Sequence, residues 1–251
     1  MGRISLASEK LGLVGVNRYG SKYKIIKYNN YSDVWVEFEN GEKTHTSYHN
    51  FKEGSIRNHS DISVFGVGFL GKGVYRSKIN DEISPQYETW RGMIRRCYSE
   101  NDRLRFPTYS DVLVDPLWFN FQIFAKWYDE NYYEVNNEKM TLDKDIIKKG
   151  NKLYCPEMCI FVPQRINKLF IKCNGKRGKF PIGVIWHKDY KKYSAVCDSK
   201  HISWHDNPTE AFKSYKKYKE SHIGQVAEEY KNKIPIKIYE SLLNYKVEIT
   251  D

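Results

Sequence analysis

Ile182-Gly183-Val184-Ile185-Trp186-His187-Lys188, Tyr193-Ser194-Ala195-Val196-Cys197-Asp198 and Lys200-His201-Ile202-Ser203-Trp204 are three short runs rich in β-branched and aromatic residues, and Asn207-Pro208-Thr209-Glu210 follows closely. The runs read as strands. The last four residues announce a helix: Asn207 caps it, Pro208 takes its first turn and Glu210 can complete a capping box. Phe212, Tyr215, Ile223, Val226 and Tyr230 then fall on one helical face, enough to cover one side of the sheet. The other side stays open, and a twisted antiparallel ribbon fits the major groove of duplex DNA. From Lys172 to Lys233 the chain carries 14 Lys+Arg against 7 Asp+Glu, beginning with the basic run Lys172 to Lys179. The candidate DNA-contacting residues here are Trp186, His187, Lys188, Lys191, Lys192, Ser194, Lys200 and His201. Lysines supply phosphate contacts whose strength falls with salt, whereas Trp186, His187 and Ser194 suit bases or sugars. The alternative is a solvated, lysine-rich face on a small α+β module.

Working back from this stretch, Thr141-Leu142-Asp143-Lys144-Asp145-Ile146, a Gly150-Asn151 turn, the apolar run Cys159 to Val162 and a short helix from Pro163 through Asn167 give strand, loop, strand, helix. Before it, Ser84-Pro85 opens a helix on which Tyr87, Trp90, Ile94 and Cys97 recur at helical spacing. Its polar face carries Arg91, Arg95 and Arg96, and Arg91 and Arg95 extend the candidate DNA-binding set. Asp115-Pro116 starts a second aromatic-faced helix through Trp118, Phe121, Phe124 and Tyr128. The glycines at 66, 68, 71 and 73 lack the Gly-Lys-Ser/Thr ending of a phosphate loop and read as a turn-rich linker.

Residues 11 to 58 alternate as a small β unit: Lys24 to Tyr28, Asp33 to Glu39, an Asn40-Gly41 turn, then Thr44 to Tyr48. Three or more such strands make a barrel-like or curled sheet, a candidate surface for a protein partner.

Composition bounds the partners. The balance of 41 Lys+Arg against 31 Asp+Glu, +10, favours a polyanion, although net charge also serves solubility alone. No run is long and apolar enough for a membrane span or a signal peptide, so the expectation is a soluble protein with no membrane partner. Five scattered cysteines read as reduced thiols in a cytoplasmic compartment. Cys155 and Cys159, joined by Cys173, are a weak zinc pattern; buried thiols are the other reading. The sequence carries no signal for an oligomeric state.

Phe180-Pro181-Ile182-Gly183-Val184-Ile185-Trp186, Lys192-Tyr193-Ser194-Ala195-Val196 and Asn207-Pro208-Thr209-Glu210-Ala211-Phe212 together resemble the Apetala-two type domain of ethylene-response transcription factors and of many phage endonucleases. That resemblance implies a three-stranded sheet on a helix, reading the major groove with the sheet. Lysines and His187 stand where stronger guanine readers would be, which departs from the plant pattern. Upstream, Thr89-Trp90, Met93, Arg96-Cys97-Tyr98, Trp118-Phe119, Phe121, Leu142-Asp143-Lys144-Asp145, Gly150-Asn151, Tyr154, Pro156, Cys159, Phe161-Val162-Pro163 and Asn167 resemble phage-borne HNH-related, homing-endonuclease-like proteins, in which an HNH-like middle precedes such a reader.

HNH chemistry needs a histidine that activates water and a divalent metal that stabilises the phosphate. The resemblance puts Lys144 at the histidine position, and the seven histidines, at 45, 49, 59, 187, 201, 205 and 222, leave the middle segment without one. If the segment cleaves, another group must serve as base, Asp143 or Asp145 being the best candidates, with Mg2+ or a similar divalent ion near Asp143 and Asn167, Asp145 second, and Lys144 steadying the phosphate. Alternatively Asp143, Asn151 and Asn167 tie the hairpin to the helix and only DNA binding remains. The expected organisation is thus α+β: a β unit and linker (1–80), a degenerate HNH-like ββα unit with helices (81–172) and an Apetala-two type domain (173–251). The setting it implies is a mobile phage element acting in the cytoplasm of a bacterial host.

Overall fold

The alternation in the first fifty residues folds as a meander. In the computed structural model, which describes residues 6–171 and 179–251, a short helix α1 (Leu6–Lys10) precedes strands β1 (Val14–Val16), β2 (Lys22–Asn30), β3 (Asp33–Phe38) and β4 (Lys43–Thr46), paired antiparallel in chain order. Tyr23, Ile25, Val34, Val36 and Phe38 alternate onto one face and bury against Phe51 of α2 (Tyr48–Lys52) and Ile56. Gly41, at φ 82°, makes the Asn40-Gly41 turn between β3 and β4. Among the described residues β1 and β4 do not pair with each other, so the sheet is open and the expected barrel-like closure is absent. Asp61 locks the following loop onto the β1–β2 turn: it accepts from Asn17 Nδ2 (2.6 Å), Ser21 Oγ (2.5 Å) and the Asn58 amide (3.2 Å).

The glycine run is not a linker. Phe69 bonds across to the 119–121 segment in both directions, its N–H to Phe119 O (2.9 Å) and its carbonyl to Phe121 N (3.0 Å). A side chain at Gly71 or Gly73 would run into Asn120 or Gln122, and Gln122 Nε2 clasps Leu70 O (3.1 Å) and Tyr75 O (3.0 Å). Glycine is therefore required by close packing. A hairpin, β5 (Lys78–Ile79) and β6 (Glu82–Ile83), leads to α3 (Pro85–Tyr98), capped by Ser84 and burying Trp90, Met93, Ile94 and Cys97. After α4 (Glu100–Arg105) and β7 (Leu113–Val114), the expected helix from Asp115 is broken in two. A 3₁₀ turn, Pro116–Phe119, precedes α5 (Phe121–Asn131), because Asn120 is drawn into an extended bridge with Phe69.

These elements form one unit, Met1–Glu130; Asn131–Asp251 form a second. In the second, β8 (Met140–Asp143) and, after β9 (Leu153–Tyr154), β10 (Ile160–Pro163) pair antiparallel with Asp143 opposite Ile160, and α6 (Gln164–Lys168) follows at once. This is the expected strand, loop, strand and helix. Most of the basic run from Lys172, with Cys173, lies outside the described residues. Then β11 (Val184–His187), β12 (Lys192–Cys197) and β13 (Lys200–His205) make an antiparallel sheet in chain order, followed by α7 (Pro208–Glu229) and α8 (Ile236–Leu243). Asn207 caps α7, its Oδ1 accepting from Glu210 N at 2.8 Å.

One expectation about α7 changes. At 22 residues it is about 33 Å long, far longer than a sheet of six-residue strands needs. Phe212 and Tyr215 cover the sheet with Ala195 and Cys197, whereas Ile223, Val226 and Tyr230 join Val162, Ile166, Ile238 and Leu242 in a separate core under the β8–β10–α6 hairpin. A single apolar stripe thus serves two clients. Gly183, at φ 75°, lies against the Tyr215 ring, where no side chain fits.

Candidate nucleic-acid interface

Alternation along β11 and β12 sorts their side chains onto two faces. Val184, Ala195 and Cys197 pack toward α7, so Ile185, His187, Lys192, Ser194 and Val196 lie on the outer face. Strand β13 departs from simple alternation: Ala195 pairs with Ser203 but Val196 pairs with His201, leaving Ile202 as the extra residue of a bulge. Three positions apart, His201 and Trp204 would sit on opposite faces of a regular strand. The bulge brings both outward, with ring centroids 4.7 Å apart. Trp204 is then the hub of the face, 4.9 Å from His187 and 5.0 Å from Tyr190. It is 40% exposed and Tyr190, in the β11–β12 loop, 66%.

Two tight connections hold these strands in register. Asp198 and Ser199 both have positive φ, as a two-residue hairpin turn requires. The Lys188–Lys191 loop closes with Lys191 at φ 48° and an amide bond to Lys188 O (3.3 Å).

Of the sequence-derived set, His187, Lys192, Ser194 and His201 share the outer face, and Lys188 and Lys191 stand in the loop at its end. Lys192 is also 3.4 Å from Asp206 in an exposed pair. Trp186 alternates to the α7 side, its ring 4.6 Å from Tyr193. Lys200, opposite Cys197, lies with its ammonium 5.3 Å from the Tyr218 ring of α7. Ser194 is only 1% exposed and, among the described residues, its hydroxyl has no hydrogen-bond partner. Arg91 and Arg95 belong to the other unit, where Arg91 lies over Phe65 and Arg95 Nε pairs with Asp102 at 2.9 Å. Sequence reasoning passed over Trp204, Tyr190 and Ile185. Alternation alone would have found Ile185, but the role of Trp204 depends on a bulge that only the strand pairing reveals.

In the β8–β10–α6 hairpin, each candidate side chain is engaged locally. Asp143 Oδ1 accepts from the amides of Asp145 and Ile146, both at 2.7 Å, closing the turn after β8. Lys144 is 7% exposed, and its ammonium donates to both Asp145 oxygens (2.8 and 2.7 Å) and to Asn151 O (2.8 Å), which uses all three of its donors. Asn151 Nδ2 answers with bonds to Lys144 O (2.9 Å) and Leu153 O (2.7 Å). Asn167 Nδ2 donates to Thr141 Oγ1 (3.2 Å), which donates to Val162 O (3.2 Å).

A magnesium-like ion asks for several convergent hard oxygens. Here one Asp143 oxygen closes a turn and both Asp145 oxygens face an ammonium. No group of three His, Cys, Asp or Glu gathers for a metal among the described residues. This donor set does not suit a divalent ion. Cys155 and Cys159 are buried, and burial raises both thiols.

Burial also lifts the Asp143 carboxyl above the usual carboxylate range, against the pull of its two amide bonds and of Lys144. The protonated form is therefore favoured by folding. Its stabilisation is complete below the unfolded value of about 3.9 and is lost as pH rises through the folded value. Asp143→Asn keeps an acceptor for both amides without the charge. Thermal melts across pH are expected to show this variant at least as stable as the parent at neutral pH, with the gap closing in acid; a gap that widens in acid contradicts the assignment.

No family model matches the chain, and neither a curated protein nor a solved structure matches it.

Proposed function

We propose that this protein binds duplex DNA on the outer face of the β11–β13 sheet and that its β8–β10–α6 hairpin supports this binding without cutting the DNA. The observation that carries the reading is the open pleated face itself: His187, His201 and Tyr190 gather around Trp204, while Lys188, Lys191 and Lys192 stand at the β11–β12 end. Rings and imidazoles suit base and sugar contact, and the lysines suit phosphates. α7 fixes the sheet from behind, so the face meets its partner as a rigid ribbon.

Fluorescence anisotropy with a labelled duplex tests it. With three lysines on phosphates, a fourfold rise in salt is expected to weaken binding about 40-fold. Affinity indifferent to salt, or none at low salt, removes the proposal. In the latter case the N-terminal sheet, whose edge strand β1 exposes Val14 (68%) and Val16 (50%), becomes the better candidate as a protein-contact surface.

Lys144 and the thin donor set around Asp143 support the non-cutting part of the reading. Supercoiled plasmid incubated with Mg2+ or Mn2+ is expected to stay closed, at the same background level for the parent and for Asp143→Ala. Nicking by the parent that disappears in Asp143→Ala would make the hairpin a nuclease after all.

A further inference from the structure

Ser194 is an anomaly on the face just described. A buried hydroxyl without a partner forgoes a hydrogen bond, and native proteins rarely leave one so without a reason. It lies at the centre of β12, with Ile185 opposite on one neighbouring strand and Trp204 opposite on the other. Both flanking side chains are large, and each is more than a third exposed (47% and 40%). The hydroxyl therefore sits beneath apolar groups that have solvent on their far side. The surroundings also run against a purely paired target. In a closed duplex, bases offer only their edges, because their faces stack on one another; an aromatic platform is best matched by a base whose face is free.

We infer that the outer face captures an unpaired nucleotide, its base stacking on Trp204 and, as the part-exposed Ile185 or Trp204 side chain swings aside, its base or sugar reaching the Ser194 hydroxyl. Resting on the reading of this sheet as the DNA-binding surface, the inference narrows the ligand to DNA that carries an unstacked base within or beside a duplex. Loop lysines Lys188 and Lys191 would hold the flanking phosphates, and Asp189, between them in the loop, and Asp206, paired with Lys192, are the groups that weaken that hold. Lys192 is shared between Asp206 and the DNA.

The test compares two labelled duplexes of the same sequence, one fully paired and one with a single extra thymidine bulged from one strand. The bulged duplex is expected to bind about 10-fold tighter. Trp204→Ala should reduce its affinity to that of the paired duplex, while Trp204→Phe keeps most of the preference. Ser194→Ala should lower affinity for the bulged duplex and leave the free protein at least as stable, since it removes an unsatisfied buried group. Equal affinity for the two duplexes overturns the inference but leaves the DNA-binding reading standing. A preference that survives in Trp204→Ala also overturns it, because the bulge is then sensed as flexibility. Binding of neither duplex at low salt removes both.

Discussion

Trp90→Ala is expected to cost about 3–5 kcal/mol of stability, a large part of the roughly 5–15 kcal/mol available to a folded domain. Trp90 is fully buried on α3, and its Nε1 donates to Trp118 O at 2.7 Å. Its ring lies 5.4 Å from Phe121 and 5.6 Å from Tyr87, and its six-membered edge closes over Gly68. One side chain therefore joins α3, the start of α5 and the glycine run. Truncation opens a cavity at that junction and strips a buried carbonyl of its donor. Urea denaturation should show the transition of the first unit moving to much lower denaturant. A loss below about 1 kcal/mol would mean that the three segments hold together without it.

Trp204→Glu should have the opposite profile: a large loss of function with little loss of fold. The side chain is part-exposed and supports no core, so the cost in stability should be about 1 kcal/mol. On the proposed surface, however, it replaces a ring at the hub of the contact face with a charge that repels phosphate. Affinity for duplex DNA is expected to fall about 100-fold. Anisotropy titration alongside a thermal melt separates the two effects, and unchanged affinity in a folded variant would take Trp204 out of the interface.

Local signals were the legible part of the fold. Ser84-Pro85 and Asn207-Pro208 marked two helix starts, and the period-two runs marked the strands of both main sheets, because caps and alternation are set by neighbouring residues. What was hidden depends on distant partners. The glycines at 68, 71 and 73 read as a turn-rich linker, yet Trp90, Asn120 and Gln122 lie against them and leave no room for a side chain. The helix from Asp115 broke because Phe69, far away in sequence, bridges to Asn120. α7 carried one continuous apolar stripe, and nothing in that stripe reveals that its two ends face different cores.

The same division runs through the candidate site. His187, Lys192 and His201 were legible as outward residues from strand composition. Trp186 and Lys200 were not separable from them until the register put them on the α7 side. Trp204 reaches the hub of the outer face only through the bulge at Ile202. In the hairpin, the absence of a histidine was plain from the sequence, whereas the saturation of Lys144 by Asp145 and Asn151 needed the folded loop.

The most direct test of the central claim uses the tryptophan indoles as fixed reporters. In a two-dimensional NMR spectrum of the 15N-labelled protein, duplex DNA is expected to shift the Trp204 Nε1–H signal while those of Trp90 and Trp118, both wholly buried, stay in place. If a complex forms and the Trp204 signal does not move, DNA is held elsewhere and the outer face of β11–β13 is not the binding surface.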